Sequence, residues 1–272
     1  MTLRVKNDSM TELSWIFIVG SAASGKSTFA KEVCRRFPKL INTSDLLALT
    51  ELFYLNDQIC EYIPKASTTP LEQLAHTLAS ISYWPDLRDL RLTQLKQGQL
   101  SFQLETSRTI DNGHNILVPT VWDDALSRTV ARLNPSSKNI VEFGRGHDAK
   151  YVDHFHIDAS DIYPRAFRFL ISANHQIDKE SSVIIHLTAD RLVRMRRNID
   201  RKLNGEHYVS NEAMNEVYAK DPFVFERRNC QGGPDGRLSA SLPIPVLSVD
   251  NNSNDQLGNF ARSLEYLSAR LT

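Results

Sequence analysis

Only three cysteines occur in 272 residues, Cys34, Cys60 and Cys230. They are far apart, odd in number and without metal-ligand spacing, which argues against a disulfide framework or a zinc site and for reduced thiols in a cytoplasmic protein. Charge of one sign is lacking too: Lys+Arg and Asp+Glu are both 32. The field of the whole molecule therefore cannot select an anionic partner, and any basic patch must be local. Long hydrophobic runs are missing. The longest early one, Trp15 to Val19, is far too short to span a bilayer, so no membrane partner is expected. The stretch Met1 to Glu12 has neither the basic opening nor the apolar core of a signal peptide. No internal repeat and no low-complexity tract interrupts the chain.

What is present is ordinary globular material, 41% hydrophobic and 24% charged, in a length able to bury a sizeable core. Short apolar runs bounded by polar or turn-prone residues read as strands at Ser14–Val19, Leu40–Asn42, Asn139–Phe143, Ser182–Leu187 and Pro245–Val249. Helical patterns fall at Lys26–Phe37, stopped by Pro38, and near Asp45–Tyr54. Further ones cover Ile162–Ile171, Asp190–Leu203 and Gln256–Leu271. Strands alternating with helices predict an α/β fold of three layers, a mostly parallel five-stranded sheet with helices on both faces. The region 57–137 reads as mostly helical, for instance over Leu71–Ile81 and Leu87–Leu95, and is broken by Pro64, Pro70, Pro85 and Pro119. It is expected to be an insertion on the substrate side of one domain spanning 1–272.

The first strand runs into Gly20-Ser21-Ala22-Ala23-Ser24-Gly25-Lys26-Ser27-Thr28, which fits G-x-x-x-x-G-K-[ST] in full. Glycines let the chain turn tightly and bring backbone N–H groups to phosphate oxygens. Lys26 supplies a point charge for the β- and γ-phosphates, Ser27 a hydroxyl for Mg2+, and the helix N-terminus favours the anion. A strand before and a helix after are the context this motif requires, so a triphosphate such as ATP, with Mg2+, is the expected ligand.

On these residues the chain resembles the P-loop kinase superfamily, which includes nucleoside, nucleotide, shikimate and polynucleotide kinases. No N-K-x-D guanine-reading sequence is present, and no apolar strand ends in an Asp-Glu pair as in large ATPases. Both absences favour a kinase, with adenine as the superfamily default. The resemblance implies roles for three further regions. Asn42-Thr43-Ser44-Asp45 looks like the segment that carries the general-base aspartate of polynucleotide kinase-like enzymes, so Asp45 can take the acceptor's proton or lie near the metal. Capping the next helix is the competing role. Glu142 and Arg145, in Glu-Phe-Gly-Arg-Gly, sit at the end of a central strand, where ligands gather in open α/β sheets. Glu142 could hold Mg2+ and Arg145 an anionic part of the substrate; a surface salt bridge is the alternative.

The region 188–230 is similar to the lid of such kinases. Six basic residues lie within 191–202, and Arg194, Arg197 and Arg201 share one helical face. A lid would bring delocalised positive charge to the triphosphate, while a solvated basic face is the plainer reading. Arg227-Arg228 could extend it. Asp250, ending the last strand, is where related kinases contact the nucleobase. The His147, His154 and His156 cluster, with Asp148, Asp153 and Asp158, matches no zinc signature and reads as loop and cap residues.

The acceptor is the less legible half. It is either a nucleoside, nucleotide or other small metabolite enclosed by the insertion, or a hydroxyl on nucleic acid with Tyr83, Trp84, Phe102 or Trp122 stacking on a base. The pattern departs from common small nucleotide kinases and leaves room for modified-base DNA as acceptor, as with phage enzymes that phosphorylate hydroxymethyluracil in DNA. A regulatory nucleotide switch without transfer is the alternative of a different class.

Overall fold

The computed structural model describes residues 11–44, 107–110, 113–116, 119–144, 162–173, 176–205, 209, 211–216, 218–219, 244–253 and 255–271. Its strands are β1 (Trp15–Val19), β2 (Ile41–Ser44), β3 (Ser107–Ile110), β4 (Gly113–Ile116), β5 (Asn139–Phe143), β6 (Ser182–Thr188) and β7 (Val246–Asp250). Its helices are α1 (Lys26–Arg36), α2 (Pro119–Ala131), α3 (Ile162–Ala173), α4 (Arg191–Leu203), α5 (Asn211–Glu216) and α6 (Gln256–Leu271).

Five strands form one parallel sheet in the order β2-β5-β1-β6-β7. The central strand β1 is Trp-Ile-Phe-Ile-Val, buried at every position, and the period of two along it divides the core. Trp15, Phe17 and Val19 join Val141, Phe143 and Ile184 on one face, under Leu126 and Val130 of α2 and Ala166, Phe167 and Leu170 of α3. Ile16 and Ile18 join Ile140, Val183 and Ile185 on the other, under Phe29 and Val33 of α1 and Phe260, Leu264 and Leu267 of α6. Aromatic edges meet across both layers, Phe17 with Phe167 at 5.2 Å and Phe29 with Phe260 at 5.0 Å between ring centroids. The result is the three-layer α/β fold the alternation implied, with β5 and α6 at the expected boundaries.

Two features of the 57–137 region differ from a mostly helical reading. β3 and β4 pair antiparallel, Ser107 opposite Ile116 and Ile110 opposite Gly113. These four-residue runs, Ser-Arg-Thr-Ile and Gly-His-Asn-Ile, are too short and polar to carry a strand pattern. Pro119, read as a breaker, opens α2, since a first-turn proline loses no helical hydrogen bond. α2 then packs its Leu126 and Val130 into the sheet's own core. Asp123 of α2 and Arg165 of α3 pair at 3.0 Å between these helices, with the Asp123 side chain 3% exposed. The helical expectations at Asp45–Tyr54, Leu71–Ile81 and Leu87–Leu95 lie outside the described residues. Among the described residues no helix is long and apolar enough to cross a membrane.

Candidate phosphate-binding site

The parallel strands end on one edge of the sheet, and the loop after β1 sits there between the ends of β5 and β6. Val19 is in register with Phe143 of β5 and His186 of β6. The loop's path needs its glycines. Gly20 has φ +145°, and a Cβ there would lie 2.4 Å from the Leu187 carbonyl oxygen of β6. Gly25 has φ +104°, and a Cβ there would lie 2.3 Å from the Asn251 side-chain nitrogen. Ala23 also takes a positive φ, 59°, a strained position for a residue with a Cβ.

α1 begins at Lys26 with Gly25 as its N-cap, with no side-chain cap and no acidic residue in its first turn. No residue of the helix's own first turn compensates its positive end, which suits an anion. Lys26 Nζ donates to the Gly20 carbonyl at 2.8 Å and the Ser21 carbonyl at 3.0 Å, which holds the ammonium over the loop. Gly144, just past β5, would carry a Cβ only 3.4 Å from that Nζ. The Ser21 and Ser24 hydroxyls are buried with no partner among the described residues.

Ser27 brings the loop to the carboxylate expected at the end of β5. Its hydroxyl donates to Glu142 Oε2 at 2.7 Å, and Asn42 Nδ2 of β2 donates to Glu142 Oε1 at 3.1 Å. A hydroxyl and a carboxylate beside a phosphate cradle are hard oxygen donors of the kind Mg2+ takes while it keeps waters and phosphate oxygens in its shell. The residues present therefore fit that ion, and Ser27 and Glu142 are the ones that would hold it. Cys34, half-buried on α1, has its thiol pushed up in pKa by burial and then by the Glu142 charge. A raised pKa favours the neutral thiol over the reactive thiolate.

The basic helix is α4, as expected, but two of its arginines, Arg194 and Arg197, are engaged with main-chain carbonyls. Arg194 is 3% exposed and donates to the carbonyls of Ala189 at 3.0 Å, Tyr218 at 2.7 Å and Ala219 at 3.3 Å. Arg197 Nη2 donates to the carbonyls of Asn251 at 2.8 Å and Ser253 at 3.3 Å. Burial, and then the neighbouring Arg201 charge, lowers the Arg197 pKa from its ordinary value. Arg201 is thus close to Arg197, as the shared face implied.

The structure brings together Gly20 to Thr28, Glu142 and, through Asn251, the helix bearing Arg197. Asp45 and Arg145 lie outside the described residues, as do the 147–158 histidines and aspartates, Tyr83, Trp84, Phe102 and Arg227-Arg228. Of Trp122 only the backbone, within α2, is described. Asp250 ends β7 and accepts from the Asn252 N–H at 3.1 Å. Sequence reasoning missed two asparagines, Asn42 and Asn251. Asn251 directly follows β7, and that strand-end position was the signal available for it; Asn42, the second residue of β2, carried none.

No family model matches the chain, and no curated protein matches it either. Several solved structures do. One from Chloroflexus aurantiacus J-10-fl, named "a putative kinase", is 12% identical with a TM-score of 0.40, over 96% of this chain and 97% of that one. TT1252 from Thermus thermophilus is 15% identical with a TM-score of 0.45, over 96% and 100%. A structure named a sugar kinase, from Janibacter sp. HTCC2649, is 12% identical with a TM-score of 0.37, over 95% and 96%. Likenesses this remote do not bear on substrate or chemistry.

Proposed function

We propose that the chain is an ATP- and Mg2+-dependent kinase that transfers the γ-phosphoryl group to a hydroxyl of a nucleoside- or nucleotide-like acceptor. The observation that carries the reading is the 2.7 Å hydrogen bond from Ser27 Oγ to Glu142. It joins the phosphate loop to a carboxylate on the neighbouring strand, 115 residues further along the chain. A chance glycine-lysine turn has no reason to meet such a partner. The uncapped N-terminus of α1, with no acidic first turn, supports it further.

In this reading the N–H groups of Gly20 to Thr28 and the Lys26 ammonium hold the β- and γ-phosphates. Ser27 and Glu142 would hold the metal, which would supply positive charge against the phosphates during transfer. Asp45, just past β2, accepts the acceptor's hydroxyl proton as that oxygen attacks phosphorus in line. The bond from phosphorus to the β–γ bridging oxygen breaks, and ADP leaves. Arg145 binds an anionic part of the acceptor, and Arg194, Arg197 and Arg201 belong to a lid built over 188–230. For Arg194 and Arg197 we assign the task of shaping that lid through the carbonyls they hold. The acceptor wall is the 57–137 region, and a hydroxymethylated base in DNA is the acceptor we would test first.

The test is transfer of label from γ-labelled ATP to a panel of nucleosides, nucleotides and hydroxymethylated DNA. An acceptor should be labelled, and Lys26→Ala should weaken triphosphate binding as well as rate. Glu142→Gln should lower the Mg2+-dependent rate by about a hundredfold, the scale of one lost electrostatic contact at the transferring group. Asp45→Asn should abolish transfer and spare nucleotide binding. Slow release of free phosphate with no labelled acceptor would reject the kinase in favour of a nucleotide switch.

A further inference from the structure

Asn251 follows β7 directly, is fully buried, and uses every hydrogen-bonding group it has. Its Nδ2 donates to the Ser24 carbonyl of the phosphate loop at 2.8 Å, and its Oδ1 accepts from Asn259 Nδ2 of α6 at 3.1 Å. Its main-chain N–H donates to the Thr188 carbonyl at the end of β6 at 2.8 Å. Its own carbonyl accepts from Arg197 of α4, also at 2.8 Å. One residue therefore ties the loop to β6, α4 and α6.

We infer that Asn251 is a positioning residue for triphosphate binding, which sets the Ser24–Gly25 peptide so that the loop presents its N–H groups to phosphate. The inference rests on the nucleotide-binding reading above and adds a residue outside the motif. The peptide unit is planar and trans, so its carbonyl and N–H point in opposite directions. With the Ser24 carbonyl held by Asn251, the Gly25 N–H is turned to the side of the loop away from β7. The Asn259 bond fixes which end of the Asn251 amide faces Ser24, because only nitrogen can donate to that carbonyl. Gly25 completes the fit, since any Cβ there would run into the same amide at 2.3 Å. Through Arg197 the arrangement also makes the position of α4 felt at the loop.

The test is binding of Mg-ATP and of magnesium tripolyphosphate, which has no base, to the wild type, Lys26→Ala, Asn251→Asp and Asn259→Ala, with the ligand-free Tm of each. Asn251→Asp keeps size and the acceptor toward Asn259 but sets oxygen against the Ser24 carbonyl. It should weaken both ligands in parallel by about tenfold or more, the effect of one buried polar group losing its partner. Asn259→Ala leaves the Asn251 amide unoriented and should give a smaller loss, about threefold, in a chain whose core is intact. Affinity for both ligands equal to wild type in Asn251→Asp, at temperatures where it is folded, would overturn the inference while Lys26→Ala still upheld the loop. Should Asn251→Asp fail to fold, unchanged binding in Asn259→Ala overturns it. A wild type that binds neither ligand overturns the functional reading and this inference together.

Discussion

Replacing Gly20 by Ala should be among the most destabilising single-methyl additions available in this chain, and the structure divides the cost into two parts. The first is backbone strain, because φ is +145° at Gly20; holding a side-chain-bearing residue in such a region costs about 1–3 kcal/mol. The second is overlap, since the new Cβ would lie 2.4 Å from the Leu187 carbonyl oxygen and 2.7 Å from Ser24 Oγ. Leu187 belongs to β6, which pairs with both β1 and β7, so that carbonyl cannot swing aside as a flexible side chain would. Forcing an extra methyl into packed surroundings costs about 1–3 kcal/mol more. A central value of about 4 kcal/mol should lower Tm by roughly 10 °C for a chain of this size. Gly205→Ala is the control: its φ is +70°, but nothing lies within 4 Å of the added Cβ. It should cost only the left-handed penalty, about 1–2 kcal/mol. Urea unfolding followed by tryptophan fluorescence suits both variants, since Trp15 on β1 is 1% exposed. A Gly20→Ala protein within about 0.5 kcal/mol of wild type, or no less stable than Gly205→Ala, would refute the loop path described above.

Arg165→Ala should destabilise the protein by about 2–3 kcal/mol in denaturant titration, at the low end for broken buried pairs because Arg165 is a quarter exposed while Asp123 is not. Arg194→Lys should cost about 2 kcal/mol, because one ammonium cannot span the Ala189 carbonyl and those of Tyr218 and Ala219 together; thermal unfolding measures it. Glu32 pairs with Arg35 and Arg36, whose hydrogen bonds lower its pKa from the ordinary 4.5 to about 2. With the folded pKa depressed, its contribution is present above about pH 4.5 and is lost as pH falls toward 2. Stability of the wild type relative to Glu32→Gln should therefore shrink across that window, and a constant difference would refute the assignment.

How much could be read beforehand depended on how local the cause was. β5, at Asn139–Phe143, and α6, at Gln256–Leu271, were legible to the residue because a run of apolar residues and a helical period are each complete within the element. The β3–β4 pair was not, since Ser-Arg-Thr-Ile acquires strand character only from the partner opposite. α2 gave a mixed signal for the same reason. Its Pro119 is a breaker in isolation and a first-turn residue once the helix is held on the sheet by Leu126 and Val130. Where the deciding contact lies outside the element, near or far along the chain, composition underdetermines structure.

The site divides along the same line, with one reversal. The glycines and Lys26 announce themselves because the motif is contiguous, and the position of Glu142 beside it was legible from its strand end. The arginines of α4 were read as charge available to a ligand, since six basic residues in twelve look like a cationic surface. Two of the six, Arg194 and Arg197, donate instead to carbonyls at 189, 218, 219, 251 and 253, outside α4 itself. Beside the Lys26 ammonium on the Gly20 and Ser21 carbonyls, uncharged groups hold the site, Asn251 on Ser24 and Asn42 on Glu142. This division has a physical reason. The residue that holds the Ser24 carbonyl has to be a donor, and at a fully buried position it has to be one that leaves no charge in the core. An amide side chain can meet both conditions, and it leaves almost no mark in a sequence.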